Sequence, residues 1–485
     1  MAAITSVGQL SKSAQTRARL RHPVIDSDGH TVEFQPALQD YVRKVAGADL
    51  ASRYRFDGAG WYRMTQEQRE AERPWRPPWW ALPTKNTLDR ATATFPKLLH
   101  ERLDQTGIDF AVLYPTVGLA APHIREDELR RATCRALNTF YADIFREYAD
   151  RLTPAAVIPM HTPREAIAEL EYAVKTLGLK VVMMAGHVRR PIPAVERALS
   201  HPTRYAYWLD FFAIDSAYDY DPVWAKCIEL GVAPSFHSFG MGWGSRASIS
   251  NYMFNHIGHF AAAGEALCKA LFFGGVTRRF PQLRCAFLEC GVGWACSLFA
   301  DLIGHWEKRN GKAIGNYDPA NLDLKLFQQL ARQYGGNLVT DKLEGRNQGW
   351  GVAGTKEDPA ALDDWSRCGI AKAEDIRDLF VPNFYFGCEA DDPINAFAFD
   401  TRKLPFGAKL NAIFSSDIGH WDVPDMTEVT EEAYELVERG VINEDNFRDF
   451  VFANPARLWT SMNKKFFDGT SVEGAVKALL ENDPN

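Results

Sequence analysis

Six short apolar runs in this chain end in acids or imidazoles. Pro23-Val24-Ile25 leads into Asp26-Ser27-Asp28-Gly29-His30, and Asn411-Ala-Ile-Phe414 leads into Ser415-Ser416-Asp417-Ile418-Gly419-His420-Trp421-Asp422. His187 follows Val181–Met184, His237 follows Gly231–Phe236, and Glu289 follows Leu283–Leu288. Glu389, Asp391 and Asp392 follow Phe384–Gly387. Of the twelve histidines, four (His30, His187, His237 and His420) stand directly behind such runs. Asp28 and His30 lie two residues apart, and the two-residue period of a strand turns both to one side. With a further imidazole and carboxylate they make a mixed nitrogen and oxygen donor set. Such a set suits Zn²⁺ or Mn²⁺ and leaves room for water or substrate. Taken alone, each residue is an ordinary strand-end histidine or a helix-capping acid. The joint placement behind the first, fifth and eighth runs supports a metal site.

The elements that must position these residues alternate. Strand candidates begin near 24, 108, 155, 179, 231, 283, 383 and 411, with amphipathic helices between most of them. Arg125 to Arg151 reads as one long helix, with Leu129, Leu137, Phe140, Tyr141 and Ile144 on one face. Thr162-Pro163-Arg-Glu165 reads as a helix start: a threonine cap, a proline in the first turn and a returning glutamate. Alternation of this kind predicts βαβ units, and eight of them predict a closed (β/α)₈ barrel with its chemistry at the carboxyl ends of the strands. An open doubly wound sheet is the alternative, but no GxGxxG follows the first strand. Segments 46–95, rich in Trp, Arg and Pro, and 311–375, polar and glycine-containing, break the repeat and read as loop insertions, lids or dimer arms. The expected organisation is an arm at 1–22, one barrel over 23–460 and a tail at 461–485.

The chain has 485 residues, 46% hydrophobic and 24% charged, which is ordinary globular composition. Its net charge of −7 disfavours a nucleic-acid binder. No run approaches about 18 apolar residues, so no membrane span is expected, and the first residues lack the apolar core of a signal peptide. The eight cysteines lie scattered in apolar segments without a CxxC, as in a reducing, cytoplasmic compartment.

Together, Val24-Ile-Asp-Ser-Asp-Gly-His30, Ser235-Phe-His-Ser238, the passage from Gly274 to Trp294 and Phe414-Ser-Ser-Asp-Ile-Gly-His-Trp-Asp422 resemble the amidohydrolase-related branch of the amidohydrolase superfamily. That branch includes aminocarboxymuconate-semialdehyde, resorcylate and carboxyvanillate decarboxylases. The resemblance runs from about residue 23 to the Asn-Pro-Ala-Arg motif at 454–457. It implies a distorted metal-dependent barrel in which Asp28, His30, His237 and Asp417 are the ligands of one divalent transition metal. Two-metal relatives often carry a carbamylated lysine on the fourth strand. Here that strand has only Lys180, at its start, which favours a single ion. Several decarboxylases of the family carry a histidine where Glu289 stands, followed closely by a glutamate. His256 and His259 are the candidates to replace its proton chemistry, or else a pair on a helix surface.

The first functional reading is a non-oxidative decarboxylase acting on an aromatic or conjugated acid. Asp417, His256 and Glu289 are its catalytic candidates. His187, Arg246, Trp243 and His259 are its substrate contacts, and Arg189 or Arg190 is a possible carboxylate clamp. The alternative is a hydrolase of an amide, ester, lactone or C–C bond, using hydroxide generated at the metal with Asp417 as base. A barrel kept only as a binding protein fits the retained ligand set less well. The expected partners are a small-molecule substrate and a second copy of the chain, as a homodimer or higher homo-oligomer.

Overall fold

The structure is a computed structural model and describes residues 10–54, 59–77, 85–199, 206–318, 321–340, 342 and 362–482. Apolar runs such as Phe110–Pro115, Leu152–Ile158 and Val181–Met184 are buried along their whole length. A strand with both faces covered belongs in a parallel sheet flanked by helices. Eight strands form that sheet: β1 (Ile25–Thr31), β2 (Phe110–Pro115), β3 (Leu152–Ile158), β4 (Val181–Met184), β7 (Pro234–Phe236), β8 (Cys285–Phe287), β9 (Phe384–Glu389) and β10 (Asn411–Ser415). They pair in that order and every ladder is parallel. All eight sequence candidates are present, and the architecture is the (β/α)₈ barrel.

The first and last strands meet through their carboxyl ends. The Asp417 N–H donates to the Asp28 carbonyl at 3.0 Å, and the His30 N–H donates to the Ile418 carbonyl at 3.1 Å. Buried Asp26 accepts from the Ser416 N–H at 3.0 Å and from its hydroxyl at 2.5 Å. The same oxygens that close the barrel therefore lie within two residues of the Asp-x-His pair.

The helix start at Thr162 forms as the sequence indicates, a capping box with Pro163 in the first turn. The long helix is shorter than its pattern: it spans Asp127–Phe145, and a tight turn at Arg146–Tyr148 replaces its end. An antiparallel hairpin, β5 (Val188–Pro191) with β6 (Tyr207–Asp210), follows β4 and was not expected. Segment 46–95 holds helices Ala59–Arg63, Gln66–Glu72 and Thr87–Thr94, and segment 311–375 holds Leu324–Tyr334 and Gly336–Thr340. Residues 55–58, 78–84, 319–320, 341 and 343–361 of these insertions lie outside the described residues, as do 1–9 and 483–485 of the termini. Beneath the barrel, Phe466 and Phe467 pack on Phe110, and the Lys180 ammonium donates to the Phe466 carbonyl at 2.6 Å. Lys180 thus serves the floor of the barrel, away from the strand ends that carry the acids. All eight cysteines are buried and free. No helix of the described residues is long and apolar enough to cross a membrane.

Replacing Asp26 with alanine strips three buried donors (the Ser416 N–H and hydroxyl and the Asp28 N–H) of their acceptor. Urea unfolding of Asp26→Ala should show a loss of about 3 kcal/mol. A loss under about 1 kcal/mol would mean that the seam is held by its backbone alone.

Candidate metal centre and active site

β1 delivers the first two donors. Its register with β2 slips between Asp26 and Gly29, so the strand kinks as it reaches the barrel mouth. A Cβ at Gly29 would sit 2.7 Å from an Asp26 carboxylate oxygen, which is why glycine separates Asp28 from His30. His30 is buried, and its Nδ1 lies 3.1 Å from the Pro115 carbonyl. That carbonyl can only accept, so Nδ1 carries the proton and Nε2 presents a lone pair inward.

Nε2 of His30 lies 3.2 Å from Nε2 of His237, 3.3 Å from an Asp417 oxygen and 3.7 Å from Asp28 Oδ1. Nε2 of His237 lies 3.7 Å from the same Asp28 oxygen and 3.2 Å from Glu289 Oε2. His237 and Glu289 follow β7 and β8, and Asp417 follows β10. Glu289 and Asp417 hold φ of +53° and +50°. Residues other than glycine rarely adopt this left-handed backbone, and such strain concentrates at functional sites.

Burial sets the electrostatics. It pushes the Asp28 and Glu289 carboxyls well up, with neighbouring carboxylates adding to the effect. Burial also raises Asp417 to about 8 and lowers His237 to about 3. Asp28 Oδ1 and Glu289 Oε2 are buried without a hydrogen-bond donor. Neutral imidazole nitrogens and carboxylates facing one another in a dry pocket repel unless a cation or protons separate them. The donor set Asp28, His30, His237, Glu289 and Asp417 therefore fits a divalent ion, and two groups that share His30, one with Asp28 and His237 and one with Glu289, Asp417 and His420, are close enough to hold one.

His420 belongs to the same assembly. Its ring stacks on His30 at 3.9 Å between centroids, its Nδ1 lies 2.7 Å from Asp417 and its Nε2 lies 3.2 Å from the Thr116 hydroxyl. Asp422, raised to about 8 by burial, forms a further group with His256 and Glu289. Of these groups Glu289 and His420 line a cavity of about 470 Å³, together with His256 and His259. His256 is hydrogen-bonded to the Tyr252 hydroxyl at 3.0 Å. His259 is buried with no partner on either nitrogen and stands 3.8 Å from the Phe260 ring.

The other expected substrate contacts do not line this cavity. His187 and Trp243 pack together and with Phe211 at one side. The Arg246 guanidinium reaches the Ser245 hydroxyl at 3.4 Å, and Arg189 covers the Tyr207 ring. Arg190 is committed to the hairpin, donating to Asp210, the His161 carbonyl and the Tyr220 hydroxyl. Its polar atoms are satisfied there, which removes it as a carboxylate clamp.

Sequence reasoning passed over Glu33. This buried carboxylate accepts from the Val117 and Gly118 N–H groups, both at 2.8 Å, and from the Tyr141 hydroxyl at 2.6 Å. It fixes the turn Gly118–His123, several residues of which line the cavity. An acid three residues beyond His30 in an apolar context was the available signal. The turn itself, Gly-Leu-Ala-Ala-Pro, carries none.

Residues 90–319 match the model of the amidohydrolase family. That part of the chain is similar to the amidohydrolases, a family of enzymes. Among solved structures, the chain is similar to 2,6-dihydroxybenzoate decarboxylase from Rhizobium, at 14% identity and a TM-score of 0.46, covering 90% of this chain and 99% of that one. It is similar to an amidohydrolase from Mycobacterium avium subsp. paratuberculosis, at 16% and 0.49, covering 91% and 98%. It is also similar to 5-carboxyvanillate decarboxylase from Sphingomonas paucimobilis, at 15% and 0.46, covering 90% and 98%.

Raised carboxyls mean that the folded metal-free protein binds more protons than the unfolded chain between about pH 4 and 8, so its stability falls as pH rises through that range. The lowered imidazoles act the other way, but only up to about pH 6.5, where unfolded histidine loses its proton. Above that the carboxyls dominate until about pH 8, where Lys180, lowered to about 8 by burial, begins to oppose them. The melting temperature of metal-free protein should therefore drop between pH 6.5 and 8, and Asp417→Asn should flatten the slope. A flat wild-type profile would show that the carboxyls ionise together without penalty.

Proposed function

We propose that this protein is a divalent-metal-dependent lyase that removes CO₂ from an aromatic or conjugated carboxylic acid without oxidation. The observation that carries the reading is the convergence of five donors from the ends of four barrel strands, one of which, Glu289, lines a cavity walled by aromatic rings. Asp28, His30, His237 and Asp417 would hold the ion, with Glu289 beside them, and their mixed imidazole and carboxylate character suits Zn²⁺ or Mn²⁺. Bound there, the ion supplies a Lewis acid and a template for the substrate carboxylate and a neighbouring oxygen.

The chain's own groups handle the proton. Asp417 delivers it to the substrate carbon that bears the carboxylate. The bond to the carboxylate then breaks, CO₂ leaves, and the electron pair of that bond stays on the carbon. His420, 2.7 Å from Asp417, returns a proton, and Thr116 continues the path from the far nitrogen. His256 is the second proton candidate, since it lines the cavity in reach of Glu289 and Asp422. Phe260 and Trp421 wall the ring-binding space, and His259 offers it a polar contact.

A hydrolase of an amide, ester, lactone or C–C bond is the second reading. It is favoured by Glu289, a buried carboxylate 3.2 Å from His237 that could draw a proton from water. The proposal includes a cytoplasmic homodimer or higher homo-oligomer formed through the insertion at 311–375, where Leu324, Phe327 and Tyr334 are exposed.

Metal analysis of purified protein should find about one equivalent of a transition metal, and chelation should lower the melting temperature. A metal-free protein whose melting temperature does not respond to Mn²⁺ or Zn²⁺ would sink both readings. A panel of hydroxybenzoates should release CO₂, whereas acid plus amine or alcohol from amide and ester panels would select the hydrolase. Asp417→Asn should lower kcat by about 10²-fold or more, and near-wild-type turnover would remove Asp417 from the chemistry.

A further inference from the structure

The cavity is built for more than one ring. Its volume of about 470 Å³ falls within the range, roughly 300–1,000 Å³, of pockets that enclose drug-sized molecules. From the metal end it extends past the Gly118–His123 turn to Leu137 and Thr133 on helix Asp127–Phe145, which packs outside the barrel.

Much of that extension is walled by the insertion that interrupts the barrel repeat. Trp61, Trp75 and Pro77 all line it. They are held in place. The Arg76 N–H donates to the Ser248 carbonyl at 2.9 Å and its guanidinium to the Ser250 carbonyl at 2.7 Å, while the buried Asn255 amide donates to the Arg76 carbonyl at 3.3 Å. Trp75 lies so close to Gly242 that a Cβ there would be 2.5 Å from its ring.

The charge of the wall is equally informative. Among the described residues that line the cavity there is no lysine or arginine, and the one carboxylate, Glu289, lies at the metal end. Arg246 is near enough to disfavour a proton on His259, yet it does not line the space. Arg69 and Arg76 cover the Trp61 ring without lining the cavity, so a second anionic group on a ligand would be desolvated here against a wall that offers it no cationic side chain. An apolar group would be stripped of water against aromatic and aliphatic side chains, which is favourable.

We infer that the substrate is a monocarboxylic aromatic acid carrying a large, uncharged apolar substituent, such as a second ring. The substituent occupies the arm formed by Trp61, Trp75, Leu119, Ala121 and Leu137, and these residues determine specificity. The inference rests on the metal-centred acid reading for the carboxylate end, while the arm stands on its own geometry.

The test compares salicylate, 5-phenylsalicylate and 5-carboxysalicylate on Mn²⁺-loaded protein, with the neutral 4-phenylphenol as a probe of the arm alone. Binding is read from tryptophan quenching, since Trp61, Trp75 and Trp421 all line the cavity. The phenyl compound should bind at least tenfold more tightly than salicylate, and the carboxy compound at least tenfold more weakly. Ala121→Phe should cut the phenyl advantage to under threefold and block 4-phenylphenol. Trp75→Ala, which removes wall without filling space, should also reduce the advantage and serves if Ala121→Phe does not fold. Equal affinity for the three acids, or tighter binding of the carboxy compound, overturns the inference. Mn²⁺-dependent salicylate binding without a phenyl advantage sinks the arm and spares the metal reading. Tight 4-phenylphenol binding with salicylate indifferent to Mn²⁺ upholds the arm and sinks the metal reading.

Discussion

Five electron-pair donors are pressed together at the mouth of this barrel with no ammonium or guanidinium among them, and much of the surrounding structure follows from that constraint. Acceptors in a dry pocket repel, so the fold must hold them there against their preference. It does so with backbone groups and with side chains that have no other work. The Pro115 carbonyl fixes the His30 tautomer, and the Asp28 carbonyl and Ile418 carbonyl stitch the strand ends together. Left-handed backbone at Glu289 and Asp417 is the local cost of aiming both acids inward. The raised carboxyl and lowered imidazole affinities for protons express the same burial, which penalises either charged form, with neighbouring carboxylates adding to the rise of Asp28 and Glu289.

Barrel closure and site assembly are one event in this molecule. Asp26 accepts from Ser416 across the seam, and its neighbours Asp28 and Asp417 are donors in the site. A barrel that failed to close would separate Asp28 and His30 from Asp417. The positioning extends outward through His420, which stacks on His30 and contacts Asp417, and through Glu33, which fastens the loop after β2.

The insertions play a different part. Residues 59–77 contribute nothing to the sheet. They lie across the loop after β7, pinned by Arg76 and Asn255, and turn an open barrel mouth into a walled cavity. The wall is largely apolar and bears no lysine or arginine among its described residues, in contrast to the acids and imidazoles at the strand ends.

The sequence alone determined the barrel and marked the candidate donors, because both leave local signatures. A buried parallel strand must be apolar along its length, so eight such runs stand out, and acids or histidines directly behind them are conspicuous. Asp28, His30, His237 and Asp417 stand out in the sequence for that reason, and the fold brings the side chains of the other three within 3.7 Å of His30. Tertiary structure decided everything that depends on which loops face one another. It drew Glu289 and His420 into the donor cluster, and it turned Arg190 away to Asp210 and Tyr220. It set His187, Trp243 and Arg246 outside the cavity. It also brought Trp61 and Trp75 over the mouth, together with the Gly118–His123 turn, whose own residues bear no chemical mark. A strand's burial is written in its own residues. A loop's role depends on contacts with residues a hundred or more positions away, and no local pattern records them.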